Sequence, residues 1–241
     1  MEEKSLIIKI FGLYVDITIC GMIFLTCLLI FLFVYFCSRN LQIKPTRQQN
    51  VLEMIIAFVR KIVSDNLTKA EVNNHVLLGL TLFLFILCAN LVGLTTKIAF
   101  HNASGEELNF WKSPTADPVV TLTLAVILIL STHFFGMRKF GVKVYLINSF
   151  LKPAKFLLPI NLMKEFTNVL TLGLRLYGNI FAGEVLLTLI ATLATSKGIL
   201  SFIPALPLQM TWIGFSIFIG AIQAYIFVTL SMVYLANKIS S

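Results

Sequence analysis

The sequence predicts an all-α integral membrane protein. It should have five full spans plus an interfacial amphipathic helix, with the last two helices forming a long, strongly tilted hairpin. Three observations carry this. Of 241 residues, 58% are apolar and only 12% are charged, about half the charged share of a soluble domain. Uncharged runs recur at the length of about 20 residues that a bilayer requires. The last two runs exceed that length. Phenylalanine, at 21 residues against two tryptophans, suits lipid contact and dense helix packing.

The elements follow in order. Residues 17–37 contain no charge and form the first span. Val51, Ile55, Phe58, Val59, Ile62 and Val63 then fall on one helical face, with Glu53, Arg60, Lys61, Ser64 and Asp65 on the other. That pattern describes an amphipathic helix lying at the membrane surface. Residues 76–96 are uncharged, as are 118–137 with His133 counted neutral; these are the second and third spans. Residues 144–163 are interrupted by Lys152-Pro153, Lys155 and Pro159, and read as a re-entrant or interfacial connector. Residues 166–196 are apolar apart from Arg175 and Glu184, and 198–237 carry no charge. A last helix starting near Pro207 would run about 46 Å at 1.5 Å per residue, against about 30 Å of hydrocarbon. It must tilt, kink or emerge from the lipid. Lys197-Gly198 with Pro204 and Pro207 marks the turn of the hairpin. The chain divides into residues 1–75, the first span and amphipathic helix; 76–137, a transmembrane hairpin; and 138–241, the connector and the long hairpin.

The net charge of +8 would suggest nucleic acid in a soluble protein. Here most of the basic residues lie between apolar runs, so membrane orientation explains them. With the N-terminus outside, thirteen Lys and Arg fall on the inner side and five on the outer, leaving Arg175 within a span. The bias places the C-terminus inside. Met1-Glu2-Glu3-Lys4 does not resemble a removable leader. Cys20, Cys27, Cys37 and Cys88 lack metal-ligand spacing and read as packing thiols.

Arg175 is the informative residue. A guanidinium stays charged in proteins, and at mid-membrane it costs about 2.5–3.5 kcal/mol on insertion scales. It therefore faces a cavity or a partner. Glu184 is the only other charge in that span. Nine residues at about 100° each place it half a turn out of phase, so the two do not pair along one regular helix. Asn168, Thr171, Gly178, Asn179 and Ala182 share the Arg175 face. They are small or polar, and small residues admit a neighbouring helix closely; ordinary packing would use them as well. Ser216, Gly220, Gln223, Phe227 and Ser231 form a comparable stripe on the last helix. Gln223 can bridge two helices or contribute to a hydrated polar seam. Glu184 can be a capped carboxyl or a proton-exchanging group on an aqueous path. His75 and His133, at span ends, read as interfacial, and His101 lies in an outer loop.

The run Leu174-Arg175-Leu176-Tyr177-Gly178-Asn179-Ile180-Phe181-Ala182-Gly183-Glu184 resembles the signature of the subunit a family of F-type ATP synthases. Thr171-Leu172-Gly173 before it and Gln223-Ala224-Tyr225-Ile226-Phe227 on the last helix fit the same family. Ser113-Pro114-Thr115-Ala116-Asp117 and Asn90-Leu91-Val92-Gly93-Leu94 resemble its segments before the third span and at the end of the second. The resemblance covers most of the chain from Val76 onward.

This resemblance implies a non-catalytic stator subunit without cofactor or metal. A ring of c subunits, each with a membrane carboxylate, would turn against two long helices of this chain. Two offset aqueous half-channels would serve that carboxylate from opposite sides. Arg175 would stand between them, attracting each ionised carboxylate, expelling its proton and blocking a leak. Asn179, Glu184 and Gln223 match polar positions of the outer channel and of the arginine's surroundings. Asn168, Thr171, Ser216 and Asn90 are supporting polar positions. Ser216 stands where some relatives carry a histidine that partners the channel glutamate. The implied partners are the c ring, the b-subunit peripheral stalk, the rest of the complex and membrane lipid. A bacterial plasma membrane is the expected setting, with an organelle inner membrane as the alternative.

Two other classes compete. A secondary transporter binding an anionic substrate at Arg175 would favour broken helices around a cavity. An intramembrane enzyme would require HExxH, paired aspartates or a Ser/His pair, none of which occurs at a common depth here.

Overall fold

The computed structural model describes residues 7–10, 13–39, 42–43, 47–95, 99–101, 107–109, 113–151, 156, 158–196 and 199–239. Seven α-helices make up most of it: α1 (Ile17–Ser38), α2 (Arg47–Asn66), α3 (Lys69–Thr95), α4 (Pro118–Phe140), α5 (Val142–Leu146), α6 (Leu158–Ser196) and α7 (Ile199–Ile239). Five of them, α1, α3, α4, α6 and α7, are long and apolar enough to cross a membrane. The all-α membrane architecture stands, with one addition. Two short antiparallel hairpins pair β1 (Ile7–Ile10) with β2 (Leu13–Asp16), and β3 (Ala99–His101) with β4 (Glu107–Asn109). Strands of three or four residues are too short to impose a readable alternation on the sequence.

Several boundaries have local causes. The Asp16 carboxylate accepts from the backbone N–H of Thr18 at 3.0 Å, capping the first turn of α1. Pro118 opens α4, where its missing N–H costs no hydrogen bond. The helix stops at Gly141, whose φ of +80° lies in the left-handed region that glycine adopts without strain.

Two boundaries correct the reading of the sequence. Pro159 to Met163, assigned to the connector, already belong to α6, because a proline at the second helical position breaks no intrahelical bond. What remains of the connector is α5 and a π-helical turn, Ile147–Leu151; Lys152-Pro153 and Lys155 lie outside the described residues. Pro204 and Pro207, assigned to the hairpin turn, lie inside α7. Prolines are tolerated inside membrane helices where neighbouring groups re-satisfy the freed carbonyls. Lys197-Gly198 lies outside the described residues. The two helices have 39 and 41 residues, or about 60 Å each at 1.5 Å per residue. They cannot stand upright within about 30 Å of hydrocarbon.

The chain divides into two compact units. Unit 1 is Met1–Tyr35, Leu84–Asp117 and Tyr177–Gln223; unit 2 is Phe36–Phe83, Pro118–Leu176 and Ala224–Ser241. Helices α1, α3, α6 and α7 contribute a segment to each.

Unit 1 is tied by a buried polar knot. The Asn90 amide donates to the Gly220 carbonyl at 3.1 Å and accepts from the Thr115 hydroxyl at 3.0 Å. Ser113 meets Thr115 at 2.8 Å and donates to the Ala89 carbonyl at 3.3 Å. The two short sequence motifs around Asn90 and Ser113 thus pack on each other. Gly93 is part of this fit, since a Cβ there would sit 2.1 Å from the Ser113 Cβ.

In unit 2, Val59 and Val63 of α2 are fully buried, lying 3.2 Å from where a Gly79 Cβ would stand. The amphipathic helix therefore packs Leu52, Val59, Ile62 and Val63 into the protein, while Val51, Met54 and Phe58 stay exposed. Gly173 of α6 approaches α4 closely, with its missing Cβ replaced by the Leu122 side chain at 2.7 Å. The cysteines are free, and Cys20 and Cys27 are exposed rather than packed.

Gly93→Ala is expected to disrupt the Asn90–Thr115–Ser113 knot and cost about 1–3 kcal/mol, as overpacking does. Gly21→Ala, where a Cβ meets nothing within 4 Å, is the matched control. The thermal denaturation midpoint of the detergent-solubilised assembly should fall for Gly93→Ala alone.

Candidate functional site

The predicted residues divide between the two units. In unit 2, α6 carries Asn168, Thr171 and Arg175; Thr171 is exposed, and Asn168 and Arg175 are half-buried. Leu172 and Leu176 on the same turns are buried at 1% and 0% exposure. The packing of these leucines and of Gly173 turns the Arg175 face outward. Among the described residues, Arg175 makes no hydrogen bond and no ion pair.

In unit 1 the same helix continues with Gly178, Asn179 and Ala182. Asn179 and Ala182 are exposed, and a Cβ on Gly178 would meet nothing within 4 Å. That flank is open. The Asn179 amide donates to the Gln223 carbonyl oxygen at 2.8 Å, which joins α6 to α7. A second tie runs from the Trp212 indole N–H to the Gly183 carbonyl at 3.3 Å. Glu184 is half-buried, and Thr188 donates to its backbone carbonyl at 2.8 Å.

The stripe on α7 has the opposite character. Ser216, Gly220, Gln223, Phe227 and Ser231 are all buried. Ser231 satisfies itself on the Phe227 carbonyl at 2.6 Å. The Ser216 hydroxyl and the Gln223 amide nitrogen are buried without a partner among the described residues. Buried polar atoms are rarely left so, and both are suited to contact with water. Asn90 is part of the knot of unit 1, where its oxygen and its nitrogen each have a protein partner.

A third polar group was not anticipated. Glu165, one residue before the apolar run of residues 166–196, is paired with Lys238 near the end of α7. Lys238 also donates to the Ser149 hydroxyl at 3.0 Å. His133 lies 3.4 Å from the other Glu165 oxygen and 2.6 Å from the Tyr145 hydroxyl. Burial raises the Tyr145 hydroxyl above its ordinary range, with Glu165 nearby adding to the effect; it stays a neutral donor. His75 is buried as well, bonded to the Glu71 carbonyl at 3.0 Å and edge-on to Phe135. Both histidines are thus held by protein groups at the ends of their helices. The signal that could have found this cluster was a carboxylate just before the first long apolar run and an amine just after the second, Glu165 and Lys238. Among the described residues no three His, Cys, Asp or Glu could hold a metal ion.

The family model for the ATP synthase A chain matches residues 20–236. This chain belongs to that family. Curated relatives extend the match over its whole length. The ATP synthase subunit a of Enterococcus hirae is 57% identical over 99% of this chain and 98% of its own. That of Enterococcus faecalis is 56% identical over 100% and 99%. That of Listeria monocytogenes serotype 4b is 47% identical over 100% and 99%. Family and helices together describe a multi-pass membrane subunit of the ATP synthase complex.

The hydrogen bonds order the stability of three variants. Ser216→Ala removes a hydroxyl without a protein partner and should change stability by less than about 0.5 kcal/mol. Gln223→Leu strands the Asn179 amide and should cost about 1 kcal/mol. Asn90→Leu removes two bonds from the buried knot and should cost more than either. Thermal denaturation of the solubilised assembly checks the order.

Proposed function

We propose that this chain is the proton-translocating, non-catalytic stator subunit of an F-type ATP synthase. It works against a ring of c subunits and is held by the b-subunit stalk, with its N-terminus outside and its C-terminus in the bacterial cytoplasm. One observation carries the reading. Arg175 lies in a membrane helix, half-buried, and has no counter-charge among the described residues of its own chain. Its partner then belongs to another subunit, and a carboxylate passing on the ring is the natural one.

The physics of such a pair suits a rotary device. Opposite charges about 4 Å apart interact by roughly 4 kcal/mol at an effective dielectric near 20. A ring carboxylate opposite Arg175 is therefore held ionised and gives up its proton, and a site moving away takes one up again. Thr171, one turn from Arg175 in the same unit, is exposed and leaves room for such a partner. Two half-channels would bring protons to and from that line. Glu184 serves the outer one, and Ser216 and Gln223, whose buried polar atoms lack protein partners among the described residues, hold water along it.

Arg175→Ala is expected to abolish ATP-driven acidification of inverted vesicles while leaving the complex assembled on a native gel. Arg175→Lys should fail too, because an ammonium is more strongly hydrated and loses its proton more readily when buried. Wild-type pumping by an assembled Arg175→Ala enzyme would sink the reading. For Glu184, a Cys substituted there, with Cys20, Cys27, Cys37 and Cys88 replaced, should react with a membrane-impermeant thiol reagent from the outer side. Silence from both sides, with normal flux in Glu184→Gln, would remove Glu184 from the path.

A further inference from the structure

Five segments of unit 2 meet at one carboxylate. Glu165 lies on α6. Lys238 of α7 pairs with it, and Ser149 of the π-helical turn shares that ammonium at 3.0 Å. His133 of α4 approaches it at 3.4 Å, and Tyr145 of α5 holds His133 at 2.6 Å. The side chains of His133, Glu165 and Lys238 are only 15–19% exposed. Gly136, less than one turn beyond His133, has no Cβ, and the Tyr145 ring and the Lys238 carbonyl lie 2.4 and 3.0 Å from where one would stand. The cluster is therefore packed from several sides.

We propose that Glu165 and Lys238, steadied by His133 and Tyr145, form a charge-neutral clamp that fixes the rotation and depth of α6 and so positions Arg175 for ion translocation. The inference rests on the role proposed for Arg175. Glu165 and Arg175 stand on one helix within one unit, ten residues or about 15 Å apart along the axis. A rotation of about 20° would carry a group at the helix's outer radius through about 2 Å. Misplacement on that scale is enough to cost catalytic or transfer steps large factors.

The bonding explains why this is a clamp rather than a proton carrier. A carrier alternates between a proton and none. Glu165 instead has the Lys238 amine on one oxygen and a His133 ring nitrogen on the other. With the Tyr145 hydroxyl donating to Nδ1, His133 presents Nε2–H to Glu165, so a neutral ring satisfies both of its nitrogens. Lys238 sits in the last turn of α7, where the helix dipole favours a cation. A buried pair of this kind tolerates loss of both charges far better than loss of one.

The test uses inverted vesicles carrying the complete enzyme. It reads protons pumped per ATP hydrolysed, with assembly checked on a native gel. Glu165→Gln and Lys238→Met should each lower that ratio by about tenfold or more, since each strands the other buried charge. The double variant should recover most of the loss, and Lys238→Arg should retain function. Lys139→Met breaks a more exposed pair with Glu71, 3.0 Å apart in the same unit, and should leave the ratio unchanged. Should the single variants fail to assemble, a double variant that assembles and pumps still supports the clamp. A double variant as inactive as Glu165→Gln would make Glu165 a proton carrier and overturn the proposal, as would wild-type ratios in both single variants. Wild-type pumping by Arg175→Ala is a separate failure: it would end the role given to Arg175 without altering the rescue pattern.

Discussion

Moving a charge from water into hydrocarbon costs several kcal/mol unless an opposite charge or retained water offsets it. Arg175 lies under that constraint throughout. It cannot lose its proton, and the acid on its own helix, Glu184, is nine residues on. Its face is left open by the packing of Leu172, Gly173 and Leu176 on the other side of α6. A cation with no counter-charge among the described residues is stable there only where retained water or a charge outside the chain offsets it. The match to the ATP synthase A chain family and the proposed ring carboxylate both answer to this need.

The chain handles charges beside its spans differently. Glu165 and Lys238 neutralise each other inside the protein. Glu71 is matched by Lys139 at 3.0 Å. These pairs close locally and ask nothing of a partner. The contrast separates charges that organise the fold from Arg175, which has no counter-charge among the described residues. Polar groups without charge show the same division. Asn90 has its bonding filled by Gly220 and Thr115, whereas Ser216 and the Gln223 nitrogen are buried with open valences among the described residues.

Close approach depends on absent side chains. Gly93 admits Ser113, Gly173 admits Leu122, and Gly136 admits Tyr145. Lipid tails offer no hydrophobic incentive for helices to associate, so tight van der Waals contact and interhelical hydrogen bonds must do so. Gly93 and Gly136 sit beside such a bond, and Gly173 packs on the side of α6 away from Arg175. Gly178, with nothing near it, is small on the open side instead, where room for a neighbour is the consequence.

The sequence by itself determined the number of spans, the unusual length of the last two and the isolation of Arg175, because these follow from local composition and from helical period. It also carried the family motif from Leu174 to Glu184. It misplaced Pro159, Pro204 and Pro207, since whether a proline ends a membrane helix depends on its place in the helix and on the groups packed around it. It had no means to join Glu165 to Lys238, separated by 73 residues, or Asn90 to Gly220, separated by 130. Such pairs are set by which helix faces meet. Helix contact in a membrane is decided by shape and hydrogen bonding across the interface, and only the tertiary structure brings those surfaces together.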